Sequence, residues 1–311
     1  LVQEISTRDA YGLKLVELGK SNPNIVVLDA DLKKSTMTHY FAKEFPDRFF
    51  DCGIAEQNMV TIAAGLASSG KTAFASTFAV FLPGRCFDQV RMAIAQPELN
   101  VKLVSTHSGI SVGEDGISHQ SIEDLALICA LPGFNVIVPA DAVETASAIK
   151  VAAETPGPFY VRLGRPKVPV ILPADYEFKL GQAVRMRPGR DVTIIAIGIM
   201  VKAALDAAEE LKKQGIECAV LNFSSLKPAD EAAVIEASEK TGAIVTAEEH
   251  LEHGGLGSTV ARITAKNKAV PMEFVAMHDY AQSGKPDLLL SRYGLDSQGI
   301  QAAVRKVIKR K

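Results

Sequence analysis

The sequence predicts an α/β protein built as two doubly wound domains. Three observations carry this. Apolar, strand-like runs alternate with helical patterns along the whole of the 311 residues. The alternation breaks once, in RPKVPVILPADYEF, a proline-bearing stretch with little periodicity, and then restarts. The length itself suits two domains of ordinary size.

The elements follow in order. Arg8 to Lys20 reads as a helix and IVVLDAD, Ile25 to Asp31, as a strand. The stretch IAEQNMVTIAAGLASS places Ile54, Met59, Ile62, Ala63 and Leu66 at helical spacing, and TAFASTF after it reads as a strand. Helix Phe87 to Ala95, strand VKLVSTH (Val101 to His107), strand NVIVPA (Asn135 to Ala140), helix Asp141 to Glu154 and strand PFYVRLG (Pro158 to Gly164) complete the first unit. Strands buried on both faces and separated by helices imply a mainly parallel sheet covered on both sides. The second unit offers VTIIAIG, ECAVLNF, AIVTAEE and MEFVAM as strands, and a last helix from about Asp296. The expected division is residues 1–172, a linker over 173–186, and 187–311.

Bulk properties exclude several classes. Lys plus Arg is 34 against 36 Asp plus Glu, with no basic block before the terminal RKVIKRK, which reads as the polar end of the last helix. Nucleic-acid binding therefore has no electrostatic footprint. No apolar run approaches a membrane span, and the N-terminal LVQEISTRDAYG has no secretory signal pattern. Cys52, Cys86, Cys129 and Cys218 are scattered without a C-x-x-C pair, as expected of reduced thiols in a cytoplasmic protein.

Two glycine motifs invite a nucleotide reading and do not support it. GLASSGKT, Gly65 to Thr72, fits the phosphate-loop pattern, but its context is helix, loop, strand, the reverse of what phosphate binding needs. There Gly70 ends a helix. GGLG, Gly254 to Gly257, opens a helical stretch, where the glycines suit either close helix packing or a weak anion site.

Chemistry concentrates at the expected carboxyl ends of the first-domain strands, where parallel sheets collect ligands. VKLVSTH opens into SGISVGEDGISHQ, which carries His107, Glu114, Asp115 and His119 with glycines at 109, 113 and 116. Only six histidines exist in the chain, and two stand in this loop, so it reads as a binding site rather than a solvated turn. The spacing of His107, Asp115 and His119 matches no common zinc pattern, and no metal-ligating residue is expected on this chain. Glu56, in the first turn of its helix, either serves a site or simply favours the helix dipole. Phe78 and Phe81 either floor an aromatic pocket or pack in the core. Arg162 and Arg165 follow PFYV and either grip an anion by forked hydrogen bonds or pair with surface acids. The residues alone thus reach a polar, His-containing site for a small anionic substrate.

Taken together, STRDAYG, DADLKKST, DCGIAEQNMVTIAAG, STFAVF, FDQVRMAIAQ, THSGISVGEDGISHQ, YVRLGRP, EEHLEHGGLG and SGKPDLLL resemble transketolase, and specifically its second half. The resemblance spans essentially the whole chain. It implies a pyrimidine-binding domain followed by the family's C-terminal domain. It implies thiamine diphosphate as cofactor, with Glu56 bonding the pyrimidine N1′ and Phe81 stacking on the ring beside Phe78. By the same resemblance, His107 and His119 handle protons at the sugar hydroxyls, Asp115 grips a hydroxyl, and Arg8, Ser35 and Arg165 form a phosphate clamp; Arg162 matches less securely. The implied reaction moves a two-carbon ketol unit from a ketose phosphate to an aldose phosphate.

The chain departs from the family in two places. It has no GDG motif, the element that holds the diphosphate and its magnesium or calcium; Glu114-Asp115-Gly116 only approaches it. The resemblance therefore implies a natural subunit of a split enzyme, or else a fragment, whose partner is an N-terminal subunit carrying GDG. A homodimer of this chain within an A2B2 heterotetramer is expected, with the Met59–Leu66 helix near the two-fold axis. The segment LPGRCF after Phe81 is longer than in many relatives, leaving Gly84 or Arg85 near the last position of the cofactor pocket. Deoxyxylulose-phosphate synthase shares the architecture but typically lacks the counterpart of His107. A 2-oxo acid dehydrogenase beta subunit is not expected to carry GEDGISH. A transketolase-like enzyme for an unusual sugar, or a homologue without catalysis, would share the pattern, although the latter has no reason to keep Glu56, His107, Asp115 and His119.

Overall fold

The computed structural model describes residues 3–311. Its strands are β1 Glu4–Ser6, β2 Ile25–Asp29, β3 Phe49–Asp51, β4 Thr72–Phe78, β5 Val101–Thr106, β6 Asn135–Ile137, β7 Phe159–Arg162 and β8 Lys167–Pro169, then β9 Val184–Arg187, β10 Val192–Ala196, β11 Cys218–Asn222, β12 Ser225–Lys227, β13 Ile244–Leu251 and β14 Met272–Met277. Its helices are α1 Thr7–Ser21, α2 Lys33–Thr36, α3 His39–Glu44, α4 Glu56–Ser68, α5 Phe87–Gln89, α6 Asp124–Cys129 and α7 Ala142–Glu154, then α8 Met200–Lys212, α9 Glu231–Thr241, α10 Leu256–Lys266, α11 Pro286–Arg292 and α12 Ser297–Ile308. The expected α/β class and both sets of alternating elements are present.

The first sheet has seven strands in the order β12-β6-β7-β5-β4-β2-β3. All neighbours are parallel except β12 with β6. The winding reverses between β2 and β4: β3 lies on one side of β2, and α4 then carries the chain back to β4 on the other. Such a reversal opens a crevice beyond the carboxyl ends of the strands. β2, β4, β5 and β7 end almost level, because Asp29 pairs with Ser76, Phe78 with Thr106 and Ser105 with Arg162. The residues just past those ends are therefore gathered at one edge of the sheet. β4 and β5 are buried along their whole length, as a sheet covered on both faces requires.

Helices cap themselves where the sequence supplies an acceptor. Asp141, Asp230 and Asp296 receive the N–H groups of Glu144, Ala233 and Gly299 at 2.8–2.9 Å. Each such cap stabilises its helix by about 1 kcal/mol. Asp296 thus starts the last helix at the expected place. Helix α4 has no side-chain cap at Ala55, and its first residue is Glu56. Met59, Val60, Ala63 and Ala64 of α4 enter the core, whereas Ile54 and Ile62, expected on the same face, are exposed. Gly70, at φ +86°, turns the chain out of α4 and into β4, so GLASSGKT is a helix end.

The second sheet has the order β14-β13-β10-β11-β9, parallel but for the edge strand β9. The segment between β8 and β9 carries no helix or strand, and Val184–Arg187, at the expected end of the linker, pairs with β11. β12, from the second half, adds an antiparallel edge to the first sheet, with Ser225 opposite Ile137. One apolar core runs across this joint, from Val136 and Val138 to Leu221, Phe223 and Leu226. The two halves are therefore packed on each other through buried hydrophobic surface. No helix is long and apolar enough to cross a membrane, among the described residues.

Candidate active site

Glu56 begins α4, a few residues after β3. Its residue is only 3% exposed. A carboxylate so buried needs a partner, and Arg85 supplies it, donating to Oε2 at 2.8 Å. The carboxylate is thus engaged outside its own helix, which a simple dipole role would not require. The guanidinium of Arg85 also lies 4.4 Å over the ring of Phe81. Phe81 in turn stacks on Phe78, with centroids 5.8 Å apart and planes 16° apart. Phe78 stacks on His107 at 3.8 Å, and His119 meets Phe81 edge-on at 5.5 Å. One continuous surface of planar groups therefore joins Glu56 to both histidines of the loop. Phe78 is buried and Phe81 half-buried.

His107 follows β5 in a left-handed conformation, φ +58°, unusual for a residue with a side chain. Its Nδ1 shares a 2.8 Å hydrogen bond with the Thr106 hydroxyl. Burial pulls its imidazole down to about 3, helped by the positive charges of Arg8 and Arg165 and by His119. His107 is therefore neutral across the physiological range, a hydrogen-bonding group rather than a cation. Because the unfolded chain protonates this residue first, near its ordinary 6.5, its contribution to stability is lost as pH falls from about 6.5 toward 3. Its ring NMR resonances should stay fixed between about pH 8 and pH 5. A midpoint near the ordinary value would show a solvated ring and contradict this geometry.

Beside it lies a concentration of cationic groups. Arg8, at the start of α1, donates from Nη1 to the Ser35 carbonyl at 2.8 Å, and burial, with Arg165 close by, holds its pKa below the usual guanidinium value. Its Nε is buried without a partner. Arg165 donates to the Val112 carbonyl and stands 3.5 Å from Asp115. Ser35 sits in the short segment Leu32–Thr38, folded around the buried carboxylate of Asp29, which accepts from Leu32 N–H at 2.6 Å and from the hydroxyls of Thr36 and Thr38 at 2.7 and 2.9 Å. Burial nonetheless raises Asp29 to about 6. Arg8, Ser35, His107, Asp115 and Arg165 are thus brought to one place, where two arginines stand against the carboxylates of Asp115 and, 3.9 Å from Arg165, Glu114.

Arg162 does not belong there. It is buried, and its Nε donates to Asp124 at 2.7 Å, beside the Tyr160 hydroxyl on the same carboxylate. Burial pushes Asp124 up, but Arg162 and its hydrogen bonds outweigh this and hold it below the usual carboxylate range. The expected alternatives for Arg162, an anion grip or a surface pair, are both replaced by an internal ion pair. GGLG is resolved in favour of packing: the N–H groups of Leu256 and Gly257 are taken by Glu248 at 2.7 Å each, and a Cβ on Gly257 would meet the Phe274 ring at 2.7 Å. An internal carboxylate already occupies that helix start. Among the described residues, no group of three or more His, Cys, Asp or Glu is arranged to hold a metal ion.

Comparison with known proteins gives this arrangement its context. Residues 3–170 match the transketolase pyrimidine-binding domain and residues 181–300 the transketolase C-terminal domain. The chain belongs to the transketolase family. It is 44% identical to a protein described as the C-terminal section of a transketolase from Methanocaldococcus jannaschii, over 97% of this chain and 96% of that one. It is 41% identical to Homo sapiens transketolase over 98% of this chain but 49% of that protein, so it spans about half the length of full transketolases. Its fold matches a solved split gene transketolase, described as an inactive beta4 tetramer, with a TM-score of 0.93, 50% identity, and coverage of 98% and 99% of the two chains. Leishmania mexicana transketolase superposes with a TM-score of 0.83 at 26% identity, over 100% of this chain and 46% of that one.

Two site features escaped sequence reasoning. The pairing of Arg85 with Glu56 was marked only by the position of Arg85 within the LPGRCF segment. Asp29 carried a signal that went unused, an acid at the end of an otherwise apolar strand.

Proposed function

We propose that this chain is the C-terminal subunit of a split transketolase, transferring a two-carbon ketol unit from a ketose phosphate to an aldose phosphate together with an N-terminal subunit. The observation that carries this reading is the buried Glu56 carboxylate at the head of α4, joined through Arg85 to the Phe78–Phe81 floor. A flat heteroaromatic ring with a basic nitrogen would fit such a place once the Arg85 guanidinium, which lies over Phe81 and on Glu56, turns aside: Phe81 would offer the ring a face and Glu56 a hydrogen-bond partner for its nitrogen. The aminopyrimidine of thiamine diphosphate has that chemistry. When bound, the cofactor supplies a nucleophilic carbon and stabilises the negative charge left on the transferred fragment.

The chain's own residues do the rest. Glu56 would hydrogen-bond the ring nitrogen from a water-poor setting. Phe78 and Phe81 fix the ring plane. Neutral His107 hydrogen-bonds the sugar hydroxyls, and half-buried His119 moves protons there. Asp115 orients a hydroxyl. Arg8, Ser35 and Arg165 anchor the phosphate end by charge-assisted bonds, so the reacting end is positioned by a remote grip.

The diphosphate and its magnesium or calcium are assigned to the N-terminal subunit, because this sequence carries no GDG. The assembly is read as A2B2, with two copies of this chain joined near α4. Ile54 and Ile62, exposed beside Glu56, support an apolar contact there. The solved relative described as an inactive tetramer of one subunit type agrees with a chain that self-associates and needs another to work. The test incubates the purified chain, alone and with an N-terminal transketolase subunit, with thiamine diphosphate, magnesium, a ketose phosphate and an aldose phosphate. Transfer should appear only in the mixture, in a species of four chains. Robust magnesium-dependent transfer by this chain alone would sink the reading.

A further inference from the structure

The structure assigns a positioning role to Glu249 of the second domain: it holds the loop that carries His107, Asp115 and His119. What the loop does rests on the transketolase reading; how it is held rests on the geometry alone. Near its end β13 carries three consecutive buried residues, Glu248, Glu249 and His250, each committed to a different backbone. Glu248 takes the start of α10. His250 accepts from Ala126 N–H at 3.4 Å while its Nδ1 donates to the Leu251 carbonyl at 2.8 Å. Glu249 crosses to the first domain, where its Oε1 accepts the N–H of Ser111.

The contact is close. Gly109 stands at φ +75°, and a Cβ there would collide with the Glu249 carboxylate. The loop is also closed at its base, since Gly109 N–H donates to the Ser121 carbonyl at 2.8 Å. Arg162 ties this base to β13, donating to the carbonyls of Ser121 and Glu249 at 3.1 and 3.0 Å. Further out, Gln120 donates to the Gln282 carbonyl at 3.0 Å, and the Ser283 hydroxyl donates to the Glu114 carbonyl at 2.6 Å. The second domain thus grips the loop at base and tip. Of these grips, Glu249 meets the loop nearest to His107 along the chain, at Ser111. A long glycine-bearing loop is otherwise free to move. Its seat on a rigid strand fixes where His107, Asp115 and His119 stand.

The test uses Glu249→Met, which keeps length and bulk but removes the acceptor, and Glu249→Gln, which keeps an acceptor oxygen. Amide hydrogen exchange on the full chain should show protection over residues 108–121 falling roughly tenfold or more in Glu249→Met, with β4 and β5 unchanged. In the complex with the N-terminal subunit, kcat/KM for a ketose phosphate should fall roughly thirty- to a hundredfold, the scale of misplaced substrate contacts. Exchange of the C2 proton of bound thiamine diphosphate should stay within about twofold, because Glu56 is not on the loop. Glu249→Gln should restore protection and turnover. Unchanged loop protection in Glu249→Met would overturn the assignment. So would protection lost through both domains, or C2 exchange falling as far as turnover. If the wild-type complex transfers no ketol unit, the functional reading fails, and hydrogen exchange on the chain still decides the positioning claim.

Discussion

Glu56→Gln should leave the fold intact and reduce ketol transfer by the reconstituted enzyme by about a hundredfold or more, the scale of a lost proton-transfer group. Glu56 is almost fully enclosed, and its one charged partner is Arg85 at 2.8 Å. Gln keeps the shape and an acceptor oxygen for Arg85, so packing and the α4 start survive. What it cannot do is share a proton with a ring nitrogen. The loss should therefore appear in C2-proton exchange of the bound cofactor as much as in turnover. A mutant that exchanges that proton at the wild-type rate would remove Glu56 from this role. Melting temperature serves as the control, since a fold defect would lower stability and activity together.

Arg165→Ala should weaken the use of phosphorylated sugars by about 2 to 4 kcal/mol, the range for losing a charge-assisted contact to an anion. Arg165 lies just past β7, braced by the Val112 carbonyl and within 3.5 Å of Asp115. Its side chain is 36% exposed, so it is open to a ligand, unlike Arg162 at 4%. Short unphosphorylated acceptors should suffer much less, because they have nothing for the clamp to hold. Comparing kcat/KM for the two substrate types reads this directly. Equal loss on both would make Arg165 a brace for the loop and leave the anion to Arg8 and Ser35.

The contrast between these two arginines shows where sequence reading reaches its limit. Both follow PFYV and look alike as letters. Strand alternation places Tyr160 and Arg162 on one face, and that face meets Asp124 of α6. Only the tertiary arrangement says that this face is interior. The alternation of strands and helices was legible because parallel sheets covered on both sides demand long apolar runs such as VKLVST. The level strand ends then follow from the parallel register. By contrast, β12 is three residues long and pairs across the two halves, which no local period encodes. Helical spacing in α4 grouped Ile54 and Ile62 with Met59 and Ala63, yet the structure turns the isoleucines outward. A hydrophobic period reports apolar positions and does not distinguish a core from a surface that another chain would cover. Glu249 was invisible for a similar reason. Its partner Ser111 lies 138 positions earlier, and an acid near the end of a strand carries no mark of the loop it supports.

On the proposed function, this chain contributes the proton-sharing half of a site completed by a second chain. Titrating it into a fixed amount of N-terminal subunit loaded with thiamine diphosphate and magnesium, and following C2-proton exchange, tests that most directly. The exchange rate should rise with each addition and break at one chain per N-terminal subunit, the ratio an A2B2 assembly requires. A rate that does not respond to this chain, or full exchange with this chain and cofactor alone, would contradict it.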